Sequence, residues 1–274
     1  MLGRMAVLDE ILAVKRDEVT VLHQPPTRDR IRRAALDAPA PRDFGGALRR
    51  ADGRLAVVSE IKRRSPSKGD LAPDLDPSTL AKRYEAGGAS ALAVLTDARV
   101  FGGAVADLQD ARAATGLPAL RKDFVIDEVQ VYETRGIGAD AMLLIVAAVP
   151  DDGLLADLHA LARDLGMSVL VEAHDEHEVA RAIACDAQVV GVNSRSLHTF
   201  AEDLAVAERL AAMLPPDVVR VAESAVRSVD DALRMAEAGF DAVLVGEALV
   251  RAAEPEELLR AMATVGVAES RRNP

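Results

Sequence analysis

Tryptophan is absent from this chain of 274 residues, aromatic residues make up 3%, and cysteine occurs once, at Cys185. A single thiol excludes an intrachain disulfide framework and suits a reducing compartment. No apolar run approaches the roughly 18 residues that a membrane-spanning helix needs. The opening Met1–Leu12 segment carries neither an uninterrupted apolar stretch nor a small-residue cleavage site. A cytoplasmic protein with no membrane association is therefore expected. Positive charge is in deficit, with 33 Lys and Arg against 44 Asp and Glu, for a net charge of −11. That balance argues against a nucleic-acid partner, although a basic rim inside an acidic protein can still hold a phosphorylated ligand. No G-x-G-x-x-G loop is present, which removes the main signature of a doubly wound dinucleotide-binding sheet. Nor is a metal or other cofactor implied. His174 and His177 stand three apart without a third ligand nearby, and read as a solvated helix start. His23, His159 and His198 show no partner pattern, and Cys185 reads as packed at a helix end.

Half of the residues are apolar, and they fall into a repeating pattern. Eight short runs recur: Leu55–Val58, Ala91–Leu95, Leu117–Leu120, Ala141–Ala148, Val169–Val171, Val189–Val192, Val218–Ala222 and Ala242–Val245. Each is followed by a segment with helical periodicity: Ser78–Ala86, Val105–Ala114, Glu128–Ile137, Asp151–Leu165, Asp175–Ala184, Leu204–Leu214, Ser228–Ala238 and Glu256–Val265. Gly87-Gly88, Gly116, Gly166 and Gly239 stand where C-caps should end several of these helices. Near-continuous Val, Leu and Ala runs are what parallel strands buried on both faces require. The pattern predicts the α/β class: a single (β/α)8 barrel, or TIM barrel, which uses about 250 residues. Ahead of the barrel (residues 51–274) lies an N-terminal helical extension, residues 1–50. It holds an amphipathic helix over about 7–23, a stop at Pro25-Pro26 and a short helix near Asp29–Leu36. This extension either caps the barrel bottom or reaches the catalytic face and encloses it.

Seven of the eight runs end in polar residues, and in such barrels the C-terminal strand ends form the active-site rim. Ser59-Glu60-Ile61-Lys62-Arg63-Arg64-Ser65-Pro66-Ser67 is the most specific segment. Alternation along a strand puts Glu60 and Lys62 on one face, the lumen. There a carboxylate and an ammonium make a tunable acid–base pair; taken alone, the same two residues also fit a surface salt bridge. Ser65 and Ser67 follow as phosphate donors. Lys122, with Asp123 and Phe124, ends the third run; Glu172 ends the fifth; Asn193 and Arg195 end the sixth; Glu223 and Ser224 end the seventh; Gly246 and Glu247 end the eighth.

This set resembles the indole-3-glycerol phosphate synthase family over essentially the whole chain from about residue 7. The resemblance rests on Glu60–Ser67, Leu95-Thr96-Asp97, Phe101-Gly102-Gly103, Arg121-Lys122-Asp123-Phe124, Gly191–Arg195, Ala222-Glu223-Ser224 and Leu244–Glu247, joined by Leu8–Ile11 with Lys15-Arg16. It implies a lyase of tryptophan biosynthesis that acts on 1-(o-carboxyphenylamino)-1-deoxyribulose 5-phosphate without a cofactor, as a monomer or weak homodimer. It also implies that Lys122 is the ring-closing acid, that Lys62 with Glu60 serves the dehydration, and that Glu172 orients substrate or acts as a base. Phe101 and Phe124 either contact the anthranilate ring or pack in the core. Asn193 and Arg195 address hydroxyl and carboxylate groups, Arg matching a carboxylate bidentately. The phosphate is expected at the loops after the seventh and eighth strands, with Ser224, Gly246, the Glu247 backbone and Ser65. Glu223 either orders that loop or touches substrate.

Two positions depart from the family pattern. Ala225 stands where a glycine is usual after Glu223-Ser224, and Ala104 where a serine is common. Glycine admits positive φ and close approach of backbone to phosphate, so Ala225 is expected to weaken phosphate binding or shift the loop. Two other readings remain. A phosphoribosylanthranilate isomerase would carry a cysteine at the end of its first strand, which this chain lacks. A non-catalytic sugar-phosphate-binding barrel is suggested by Ala225 but leaves the retention of Glu60, Lys62, Lys122 and Glu172 without a purpose.

Overall fold

In the computed structural model, which describes residues 6–66, 68–195 and 201–268, eight parallel strands close into a barrel. They are β1 (Ala56–Ile61), β2 (Ala91–Leu95), β3 (Ala119–Lys122), β4 (Ala141–Ile145), β5 (Ser168–Ala173), β6 (Val189–Asn193), β7 (Val219–Glu223) and β8 (Ala242–Val245). Each pairs with its sequence neighbours, and β1 closes the ring on β8 through Ala56 opposite Ala242 and Ser59 opposite Val245. Alternation sorts the side chains. Leu92, Val94, Met142, Val169, Val171, Val190, Val192 and Val243 point outward into one core under the helices. Ala56, Val58, Ala91, Ala93, Leu120, Leu143, Leu170, Val221 and Leu244 point inward and fill the lumen. The expected (β/α)8 barrel is the observed fold.

The strands run further than the apolar runs suggest. β1 continues through Glu60 and Ile61, β3 through Arg121-Lys122, and β7 through Glu223. β4 stops early instead, and Val146–Ala148 turn into a short 3-10 helix. Several helices begin on an aspartate whose side chain accepts a backbone N–H, as Asp76, Asp151 and Asp175 do for the helices at Pro77–Gly87, Asp152–Asp164 and Glu176–Ala184. Gly88, Gly166 and Gly239 take the left-handed conformation expected of C-caps, whereas Gly116 does not. The helix Val105–Ala114 ends on extended Thr115, and the Gly116 N–H donates to Glu85.

The first three helices settle the place of the extension. α1 (Ala6–Leu22) lies at the catalytic end, with Leu12 buried in the lumen core. α2 (Pro25–Asp37) packs on the helix Glu128–Gly136. Pro25-Pro26 thus open the second helix as well as stopping the first, because proline is tolerated in the first turn. α3 (Phe44–Leu48) sits below: Phe44 and Leu48 are fully buried against the lumen core, and the Gly45 N–H donates to Ser168 Oγ at 3.2 Å. Burying two such side chains stabilises this plug by roughly 2–3 kcal/mol each. The extension therefore meets both ends of the barrel.

Candidate active site

At the top of the lumen, one inward-facing residue from every strand lines a single pocket: Glu60, Leu95, Lys122, Ile145, Glu172, Asn193, Glu223 and, just past β8, Gly246. The loops complete it with Lys62, Ser65, Phe101, Phe124, Arg195, Ser224 and Glu247. All thirteen residues singled out from the sequence thus share one cavity. Ser67 and His198 lie outside the described residues.

Lys62 ion-pairs with Glu60 across the mouth of β1, and both are nearly buried. Opposite them, Lys122 Nζ stands 3.1 Å from Glu223 Oε2 and 3.5 Å from Glu172 Oε2. Two glycines make room for this density of charge. A Cβ on Gly246 would overlap Glu60, and one on Gly191 would overlap Glu223. Burial works against the Lys122 ammonium, but Glu223, Glu172 and Glu60 outweigh it and push its pKa upward. Burial also opposes ionisation of Glu172, and there Lys122 and His174 prevail, holding the carboxyl well below its ordinary range. For Glu223 burial wins. Its pKa rises to about 8, against the pull of Lys122 and with reinforcement from Glu172. Two neighbouring carboxyls thus take opposite states near neutrality.

The apolar wall is formed by Phe101 and Phe124, whose ring centroids lie 6.4 Å apart in a tilted arrangement, and by Val7, Leu8 and Ile11 of α1. Both phenylalanines are pocket residues and not only core packing. Asn193 Oδ1 accepts the Arg195 N–H at 3.0 Å. The Arg195 guanidinium meets Glu202, which also meets Arg227. On the β7 and β8 side, Ser224, Ala225, Gly246 and Glu247 line the cavity together with Ser65, whose buried hydroxyl has no partner among the described residues. Ser224 and Ala225 adopt φ of 64° and 62°. The left-handed geometry that glycine would take freely is kept with alanine in place. At Ala104 the capping side chain is gone, yet Asp107 still accepts the Ala104 N–H at 3.0 Å.

Three residues were misjudged or missed from sequence. His174 is not a solvated helix start: its Nδ1 lies 2.9 Å from Glu178 and its Nε2 3.3 Å from Glu172. Only His177 is exposed. Lys15 of α1 is buried, 2.9 Å from each of Asp97 and Asp123, and so fastens α1 to the ends of β2 and β3. His23 does have a partner, Asp127, at 2.9 Å. Cys185 is buried as expected, its thiol pushed up by burial.

Comparison with known proteins agrees with this site. The family model for indole-3-glycerol phosphate synthase matches residues 8–262. A protein of that name from Micrococcus luteus is 50% identical over 94% of this chain and 97% of its own length. Another from a Nocardioides species is 48% identical over 95% and 99%. A solved structure titled "Native KDPGal structure" shares only the fold, with a TM-score of 0.55 at 16% identity over 77% of this chain and 94% of its own. With a pocket that draws on all eight strands and a family match over nearly the whole length, the chain belongs to the indole-3-glycerol phosphate synthase family.

Proposed function

We propose that this chain is a carboxy-lyase that converts 1-(o-carboxyphenylamino)-1-deoxyribulose 5-phosphate into indole-3-glycerol phosphate, carbon dioxide and water. The observation that carries this reading is Lys122 Nζ poised between Glu172 and Glu223, across the cavity from the Glu60–Lys62 ion pair. The carboxyl-bearing arene carbon attacks the substrate ketone, and the Lys122 ammonium stabilises and then protonates the developing alkoxide. Carbon dioxide leaves with its bonding electrons returned to the ring, which restores aromaticity. The hydroxyl departs as water with a proton from Lys62, backed by Glu60, while Glu172 accepts the proton lost in forming the indole double bond. Phe101 and Phe124 stack on the anthranilate ring. Asn193 and Arg195 address its carboxylate and the sugar hydroxyls, and Glu223 supplies a neutral carboxyl beside Lys122. Ser65, Ser224, Gly246 and the Glu247 backbone hold the phosphate.

The same reading holds the protein to be a cytoplasmic monomer or weak homodimer with a small phosphorylated substrate and no nucleic-acid or membrane partner. Supporting it, no helix among the described residues is long and apolar enough to cross a membrane. The test exploits the missing tryptophan: the indole product fluoresces over a nearly dark protein. A stoichiometric rise of indole fluorescence and carbon dioxide is expected. Saturable substrate binding without either product would leave only a sugar-phosphate-binding barrel, and no binding would overturn the reading altogether.

A further inference from the structure

His174 has no part in the chemistry so far, yet it is nine-tenths buried and strung between two carboxylates. It stands two residues beyond Glu172 at the end of β5, so alternation turns both toward the pocket side. Nδ1 lies 2.9 Å from Glu178 Oε2, which also accepts the His174 backbone N–H at 2.8 Å. Nε2 lies 3.3 Å from Glu172 Oε1, within ion-pair range though off the line of an ideal hydrogen bond. The other oxygen of Glu172 faces Lys122 at 3.5 Å. Glu172 is therefore gripped on both oxygens, while Glu223 meets Lys122 and Glu172 and leaves Oε1 buried without a donor among the described residues. Two carboxyls that share one ammonium are made unequal by the groups on Glu172, the imidazole of His174 first and the Asn193 side chain after it.

We propose that His174 is a positioning residue for the reaction: held by Glu178, it orients Glu172 and makes that carboxylate, not Glu223, the proton acceptor. The proposal rests on the reading of Glu172 as the base. The groups facing the ring are Glu172 from β5 and Glu178 from the helix Glu176–Ala184. Lys122 of β3, Asn193 of β6 and Glu223 of β7 face Glu172 in turn. The adjoining turn Val146–Ala148 is apolar. Burial disfavours the imidazolium, but Glu172 and Glu178 overcome that and push its pKa up to about 10. Through the neutral range, then, Glu172 has a cation on either side. Removing one destabilises its ionised form, so its pKa must rise and the acid limb of the rate profile must move to higher pH.

The test measures kcat and KM from pH 3 to pH 10, within the range where each protein stays folded by thermal unfolding, for wild type, His174→Gln, Glu178→Gln and Glu172→Gln. For His174→Gln the acid limb of kcat should move up by about one pH unit, while at pH 7, where Glu172 stays ionised, the loss of its orientation should lower kcat by about tenfold with KM within about threefold. Glu178→Gln keeps the ring and removes its outer anchor, so the same limb should move in the same direction by less. It also stands in if His174→Gln fails to fold. An acid limb that stays in place in a folded His174→Gln protein, or in Glu178→Gln if only that variant folds, overturns the proposal. Glu172→Gln separates the two readings. Should it keep more than about a tenth of wild-type kcat, Glu172 is not the base and the role of His174 falls with it. Should it be inactive while the histidine and Glu178 variants show no pH shift, only the His174 proposal fails.

Discussion

Replacing Lys15 with methionine keeps the length of the side chain and removes its charge at the point where α1 is fastened to the barrel. Lys15 is 2% exposed, and its Nζ lies 2.9 Å from Asp97, Asp123 and Glu18. Leaving buried carboxylates without their cation costs about 3–5 kcal/mol. The lower end applies here, because Asp97 still accepts the Val100 N–H and Asp123 keeps Arg121 and Thr96. A loss of about 3 kcal/mol in a domain of this size lowers Tm by about 6–12 °C. The loss should also depend on pH. Despite its burial, Asp123 is held at about 2 by Arg121 and Lys15, below an ordinary aspartate near 3.9. A depressed carboxyl contributes stability above its unfolded pKa and loses it as pH falls toward the folded one. The Tm deficit of Lys15→Met should therefore be full at pH 6–8 and shrink between about pH 4 and pH 2. Because Leu8 and Ile11 wall the pocket, KM should rise as α1 loosens, and backbone amides of α1 should exchange faster with solvent. A Tm within 2 °C of wild type at pH 7, with α1 exchange unchanged, would refute the reasoning.

Three further outcomes follow from the same geometry. Lys122→Ala should abolish turnover while leaving ligand affinity within about tenfold, as expected of a group acting mainly in the transition state; retained product fluorescence would remove Lys122 from the acid role. Ala225→Gly relieves a left-handed alanine worth about 1–2 kcal/mol of strain, offset in stability by the looser unfolded chain, so Tm should change little while KM falls by up to about fivefold. An unchanged KM would show that the methyl does not hinder the phosphate loop. Above about pH 8 Glu223 loses its proton, so kcat should fall there, and a Glu223→Gln protein that retains activity should lose that basic limb. A wild-type profile flat to pH 10 would mean that the Glu223 proton is not used.

The barrel is legible because its strands are buried on both faces, which forces short, nearly pure aliphatic runs at regular intervals. The site is legible because alternation carries those strands into a polar lumen, where Glu60, Lys122, Glu172 and Glu223 interrupt the apolar pattern on the inward phase. The same change of polarity hides the strand ends. The apolar runs stop short of Glu60 and Lys122 because the rule that strand interiors are apolar fails where the lumen becomes a pocket. α3, Ala98–Phe101 and Glu247–Arg251 are four or five residues long, too short to show a helical period. Lys15 was illegible for another reason: its partners Asp97 and Asp123 are brought to it only by closure of the chain. His174 did carry a signal. Two residues after Glu172 at a strand end, it shares the inward phase, but spacing to His177 drew attention to the helix instead.

Electroneutrality explains why the site holds a spare proton. Around the lumen, Glu60, Glu172, Glu178 and Glu223 face Lys62, Lys122 and His174, four carboxyls against three cations. Arg195 adds only the smallest of the pulls on Glu60 because Glu202 holds it, and Arg227, which also meets Glu202, is largely exposed and screened by solvent. In a buried cluster an uncompensated charge is expensive, and the group with the fewest donors takes up a proton instead. Glu223 is that group. Gly191 lets it sit deep in the lumen, one of its oxygens has no donor among the described residues, and its pKa is accordingly raised where those of Glu60 and Glu172 are lowered. Adding the substrate carboxylate and phosphate brings more negative charge into the cavity and strengthens the hold on that proton. On the proposed mechanism the proton content of the pocket is then highest when the ketone oxygen and the departing hydroxyl need protons, and Lys122 lies 3.1 Å from the carboxyl that holds the extra one.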